Sequence, residues 1–423
     1  MTPSDSLWRN RAFTRLWVAH VTSGAGTAIT NVALPLAAVL VLGATPTEMG
    51  LLAAAGSLPN LLFGLVAGVW IDRVRRRPIL IWADIGRALL LVTIPVAAWL
   101  GQLSFLQIWI ITFATGTLTV FFQIAAISVL PALVEKKQLV EANSKLSTSE
   151  AVISIAGPAV AGGLVQLFSA PRAILVDAVS YLLSALALAG VAEEEPQPAP
   201  QPVREDSPEP VNGIRAAVAS IGREVGDGVY ELLRTPLLRT LTITSSLGML
   251  AGAISAAVQM LFLVNQLDFT PSIIGIVAAC GGIGSLVGAL LAGKAARFLQ
   301  AGKTLVLGKL LWIAGTLLLA TADLIGPEIA AAGVARALVG LGSTLYFVNQ
   351  LSLRQTITSV RLLGRVTAAR RFVLFGVATV GAFIGGALGE SIGLRPTLLV
   401  GSAALALELA LLLLPTIRQA RIE

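Results

Sequence analysis

Several ionisable residues stand inside stretches that are otherwise apolar, and each is a candidate for chemistry because charge is costly there. Arg336 lies nine residues into one such run, within RALVGLG (336–342), about 13 Å along a helix at 1.5 Å per residue. At that depth a guanidinium either lines a cavity or meets a carboxylate within the protein. Asp177 stands in ILVDAVSYLLSALAL (174–188), with Arg172 five residues away as a partner within reach. Asp84 and Arg87 are three apart on one helical face, where they neutralise each other or meet a neighbouring helix. His20, the sole histidine, is either a proton switch that titrates near neutral pH or a packing ring. Asp177, Asp84 and His20 are therefore the candidates for carrying a proton. Glu150 and Lys309 are near enough to the ends of their runs to snorkel. Glu408 is deeper and has no evident role. Among neutral polar residues, Asn31, Gln123 and Asn349 join Tyr346 and Arg336 as the candidate lining of an amphipathic substrate cavity.

Some chemistries are not expected. A single histidine and a single cysteine, Cys280, with no acidic cluster give no metal site and no intrachain disulfide. The chain shows no phosphate loop and no nucleophile elbow, so neither a cofactor nor an enzyme is expected. The net charge of +7 resides in loops between apolar runs and calls for no nucleic acid.

The elements that must position these residues follow from composition. Charged residues make up 13% of the chain and hydrophobic ones 56%. A soluble domain carries about 25% charged residues, so lipid is the solvent that this sequence fits. The apolar runs are long and continuous rather than alternating, which selects helices over a barrel. Twelve spans are predicted, at 16–42, 47–70, 78–100, 104–132, 147–168, 172–191, 237–263, 271–293, 303–322, 327–350, 367–389 and 394–415. The first is too long for the core of a signal peptide and lacks a convincing cleavage site, so it is expected to be retained. The fold class is an all-α integral membrane protein, with a lipid bilayer as its partner.

Loop charge sets the orientation. Placing the N-terminus in the cytoplasm puts nearly every lysine and arginine on that side and leaves only Arg172 and Arg395 opposite. Both termini are then cytoplasmic. The densest basic block is GVWIDRVRRRP (68–78). Orientation alone needs neither Asp72 nor the pair Gly64 and Gly68, which form a small face for close helix approach. Gly64, Gly68, Asp72, Arg73 and Arg76 together read as a latch at a cytoplasmic gate. Aligning Gly293 on Gly68 puts Arg297 where Asp72 stands, so a second copy of the latch would lack its acid.

GVWIDRVRRRP resembles the loop 2–3 signature of the major facilitator superfamily, and the resemblance covers the whole chain. LPALVEKKQLVEANSKL (130–146), GPAVAGGLV (157–165) and ILVDAVSYLLSALAL (174–188) are similar to the bacterial enterobactin exporter and macrolide efflux branch. The resemblance implies two pseudo-symmetric six-helix halves, at 1–191 and 237–423, joined by a cytoplasmic linker at 192–236. The linker begins acidic and Pro-rich, which favours disorder, and continues as an amphipathic stripe from Ile214 to Leu232. GPAVAGG resembles an antiporter motif in which Gly157, Pro158, Gly162 and Gly163 kink and pack the fifth helix. The implied function is export of a small amphipathic molecule (drug, siderophore or secondary metabolite) across the bacterial inner membrane. The implied mode is proton antiport with alternating access, by a monomer, with protons and the small-molecule substrate as partners. The alternative is a protein of the same fold that senses or binds a ligand without transport.

Overall fold

The computed structural model describes residues 7–71, 74–190, 226, 229–359 and 362–413. Among these, twelve helices are long and apolar enough to cross a membrane. They are α1 (Arg11–Leu42), α2 (Pro46–Ile71), α3 (Arg76–Trp99), α4 (Phe105–Leu133), α5 (Leu139–Phe168) and α6 (Ala170–Ala189). The second set is α7 (Pro236–Leu261), α8 (Pro271–Leu299), α9 (Ala301–Ala320), α10 (Glu328–Ile357), α11 (Leu363–Ile392) and α12 (Leu394–Leu412). No strand occurs among the described residues.

Several helices outrun their apolar cores, because backbone groups stay hydrogen-bonded where the sequence turns polar. α5 begins at Leu139, eight residues before the expected span, and its added turns carry the Glu141–Lys145 pair at 3.4 Å, four residues apart. Proline lies inside α1, α2, α3, α4 and α5 (Pro35, Pro59, Pro95, Pro131 and Pro158), each removing one amide donor from its helix.

The two sets of six pack by one scheme. In the first half α1 packs on α5 and α6, α3 on α4 and α6, and α2 on α4. In the second, α7 packs on α11 and α12, α9 on α10 and α12, and α8 on α10. The halves meet chiefly along α2 with α11 and α5 with α8, two contacts that the repeat exchanges.

Both interfaces are tight at one end only. The end with the α1–α2, α5–α6, α7–α8 and α11–α12 connections is the hairpin side, and the other, where α6 ends and α7 begins, is the linker side. On the hairpin side a Cβ on Gly50 would lie 2.8 Å from Gly386 Cα, and one on Gly162 would lie 2.9 Å from Gly275 Cα. No side chain fits at either place, so the backbones are nearly in contact. Toward the linker side Gly64, Gly68 and Gly293 have nothing within 4 Å of a Cβ position. The halves are therefore closed on the hairpin side and splayed on the linker side.

The face of Gly64 and Gly68, expected to be packed, is thus unpacked in this conformation. Asp72, Arg73 and residues 191–225 lie outside the described residues, as does most of the expected amphipathic stripe. Its last turn is described, and Leu232 there is buried with Leu238, Val366 and Ala369 at the start of α11 rather than on a bilayer surface.

Candidate functional site

A cavity of about 700 Å3 lies between the halves. α1, α2, α4 and α6, with Leu91 of α3, line one wall and α7, α9, α10 and α12 the other, while α5, α8 and α11 contribute nothing to it. Its polar groups are mostly neutral: threonines, Asn31, Asn60 and Gln123 on the first wall, and Gln259 on the second. Asp177 and Arg336 are the charged residues of the lining, one on each wall.

Arg336, the ninth residue of α10 from its closed hairpin-side end, is held by neutral groups. Its Nη1 donates to Gln259 Oε1 at 3.2 Å, and its Nε is buried without a hydrogen-bond partner. Gly281 on α8 packs beside it, since a Cβ there would be in ordinary contact, 3.6 Å from Nε and Nη2. The alternative of a structural ion pair is not what the structure has, because no carboxylate pairs with Arg336 among the described residues.

Asp177 is only 1% exposed at the rear of the opposite wall. Ser180 Oγ donates to its Oδ1 at 3.1 Å, while Oδ2 has no partner of good hydrogen-bond geometry. Gly26 on α1 packs directly against this carboxylate. The expected Arg172 pairing does not form: five residues on a helix turn about 140° away, and Arg172 points outward and is exposed.

Asp84 and Arg87 do pair with each other, fully buried one layer behind the cavity. Ser184 Oγ donates to Asp84 Oδ2 at 2.6 Å, and the guanidinium lies 4.4 Å from the Phe122 ring and 4.2 Å from that of Tyr181. Tyr181 lines the cavity, and Asp84 does not. His20 is paired with Glu150 at 3.0 Å near the linker-side ends of α1 and α5, so it is neither isolated nor a packing ring.

Two expected lining residues lie elsewhere. Tyr346 is fully buried and packs on Lys309, and Asn349 is 3% exposed and donates to Leu345 O at 2.9 Å. At 100° per residue Asn349 is on nearly the opposite face of α10 from Arg336. Lys309 does not snorkel either. It is fully buried, 2.6 Å from Glu408, with Nζ 4.2 Å from the Trp312 ring and 4.1 Å from that of Tyr346.

These two buried charge clusters are related by the repeat, a relation that sequence reasoning missed. Asp84 is the ninth residue of α3 and Lys309 the ninth of α9; Ser184 is the fifteenth of α6 and Glu408 the fifteenth of α12. Phe122 and Tyr346, under the two cations, stand within one residue of the same station, eighteenth on α4 and nineteenth on α10. Each cluster binds the third helix of its half to the sixth, with the charges rearranged. The signal was available in the step of 225 that aligns Gly293 on Gly68, which also aligns Lys309 on Asp84.

The glycines and proline of the fifth helix form part of the hairpin-side seal. Gly162 abuts Gly275, a Cβ on Gly275 would collide with Pro158 O, and Gly157 packs on Ala28, whereas Gly163 faces open space. In the basic block, Arg77 donates to the terminal carbonyls of α6 at Leu188 (3.1 Å) and Ala189, capping that helix. Arg76 begins α3.

A family model described as Major Facilitator Superfamily matches residues 16–257 and again 240–422. The chain is 26% identical over 416 residues to the multidrug efflux pump Tap of Mycolicibacterium fortuitum, covering 95% of both chains. It is 23% identical over 391 residues to macrolide efflux protein A of Streptococcus pyogenes, covering 92% of this chain and 91% of that one. Among solved structures, a bacterial homologue of the iron transporter ferroportin in an inward-facing state superposes with a TM-score of 0.75. It shares 15% identity and covers 96% of this chain and 98% of its own.

Proposed function

The chain belongs to the Major Facilitator Superfamily and is a multi-pass membrane transporter; from that premise we propose that it exports small amphipathic molecules by proton antiport. The observation that carries this reading is the cavity between the halves, sealed by Gly50–Gly386 and Gly162–Gly275 and unsealed toward the linker. Transporters built from repeats place their sites at the interface of the repeats and expose them alternately to either side. Loop charge makes the linker side cytoplasmic, with both termini there, in the bacterial inner membrane. The conformation is then inward-facing, ready to load from the cytoplasm.

Arg336, Asn31 and Gln123 contact the substrate, and a single copy of the chain suffices, since the cavity is complete within it. Asp177 is the first choice for the proton. Its carboxylate lies on the cavity wall with one oxygen unpartnered, and its slight exposure suits a proton better than a bulky cation. Asp84 is already paired with Arg87, and His20 with Glu150 away from the cavity. Gly64, Gly68, Asp72, Arg73 and Arg76 form the cytoplasmic gate, which closes when the hairpin side opens. Efflux agrees with the names of the relatives Tap and macrolide efflux protein A.

Inside-out vesicles with an acid interior test the reading. Uptake of a fluorescent amphiphile should require the chain and collapse with a protonophore. Binding of the amphiphile without gradient-dependent uptake would favour the sensing alternative instead.

A further inference from the structure

We infer that the exported molecule carries an anionic group, a carboxylate or its equivalent, that docks on Arg336. The inference rests on the reading of the cavity as the substrate site and gives that substrate a charge.

The buried cations Arg87 and Lys309 are both met by carboxylates, Asp84 and Glu408, whereas Arg354 and Arg370, toward the linker ends of α10 and α11, have no carboxylate among the described residues and do not line the cavity. Arg336 is treated differently. It lines the cavity, receives one hydrogen bond's worth of support from the neutral Gln259, and keeps Nε without a partner. The acid across the cavity, Asp177, makes no ion pair with it and is almost fully covered. Gly281, packed beside the guanidinium, offers it no charge and no side-chain acceptor.

While the cavity is open, water can solvate this cation. Alternating access passes through an occluded state from which most of that water is excluded, and an unpaired buried charge there is strongly unfavourable. An anionic group on the cargo removes the penalty. It also supplies the acceptor for the fork of N–H donors that the protein leaves largely unused, and charge-assisted hydrogen bonds of this kind are the stronger ones. The remainder of the lining, threonines and amides among Leu and Trp312, suits the uncharged amphipathic body. A cargo bearing only a positive charge would face Arg336 at a disadvantage.

The test compares three radiolabelled probes of similar body: N-dansyl-leucine, which is anionic, its neutral amide, and the cationic dansylcadaverine. Binding is measured to the whole chain in lipid nanodiscs, with empty discs subtracted. The acid should bind about tenfold or more tightly than the amide. Arg336→Gln should erase that preference, and Arg336→Lys should restore part of it, since a point charge lacks the planar fork. Ala256→Trp, which fills the cavity from α7, should remove binding of every probe. Equal binding of acid and amide, or preference for the amine, with Ala256→Trp still blocking, overturns the anionic cargo and leaves the cavity assignment standing. Binding of no probe, or binding indifferent to Ala256→Trp, overturns the cavity assignment and the inference with it.

Discussion

Lys309 and Glu408 each bring a formal charge to a site without solvent exposure, 2.6 Å apart between α9 and α12. Desolvating two charges costs several kcal/mol each, and their attraction recovers this only while both are present. Lys309→Met should therefore cost about 3–5 kcal/mol, because Glu408 stays buried without its partner. Lys309→Met combined with Glu408→Leu should recover most of the loss, and thermal unfolding of the detergent-solubilised protein reads both. A single variant as stable as wild type would show that the pair is not held as a buried ion pair. Asp177 gives a separate prediction of function. Asp177→Asn should leave substrate exchange between equal pools intact but abolish accumulation driven by a pH gradient, since the amide cannot take up and release the proton. Gradient-driven accumulation at the wild-type rate would move the proton to another group.

At the scale of the helix, the seal on the hairpin side is made by backbone contact, so adding a side chain should open it. Gly162→Val places atoms against Pro271 O and Gly275, whereas Gly163→Val meets open space. With Cys280 replaced by Ser and a cysteine placed at Leu34 in the cavity wall, Gly162→Val should raise its labelling by an impermeant maleimide from the hairpin side about tenfold or more. Gly163→Val should not. Equal labelling in the two would mean that the seal lies elsewhere. The existence of these helices was legible, because a run of about 20 apolar residues has few other uses. Depth within a run was legible too, and it drew attention to Arg336. The direction in which a side chain faces was not. A helix apolar on all sides has no polar stripe to mark its inner face, so the sequence points Tyr346 and Asn349 to a cavity that the rotation of α10 turns them away from. Lys309 and Glu408 are 99 residues apart, and only the packing of α9 on α12 brings them together.

At the scale of the whole molecule, closure of the linker side can be placed by the register of α2 against α11. Gly50 meets Gly386, and seven residues farther along α2 Ser57 Oγ lies 3.2 Å from Oγ1 of Thr379, seven residues back along α11. The two helices are antiparallel and in step. Eleven more residues along α2 reach Gly68, and eleven back along α11 reach Ala368, so these two should face each other when the linker ends come together. They do not in this conformation, because Gly68 has nothing within 4 Å of a Cβ position. A disulfide needs Cα atoms within about 7 Å. In a Cys280→Ser background, Gly68→Cys with Ala368→Cys should therefore cross-link only when the molecule opens toward the hairpin side. Oxidation should trap that state, stop transport, and be reversed by reductant. Gly162→Val, by weakening the opposite seal, should speed the cross-link. A cross-link that forms fully without affecting transport would mean that the linker ends of α2 and α11 do not separate during the cycle, and the rocking of one half against the other would have to be abandoned.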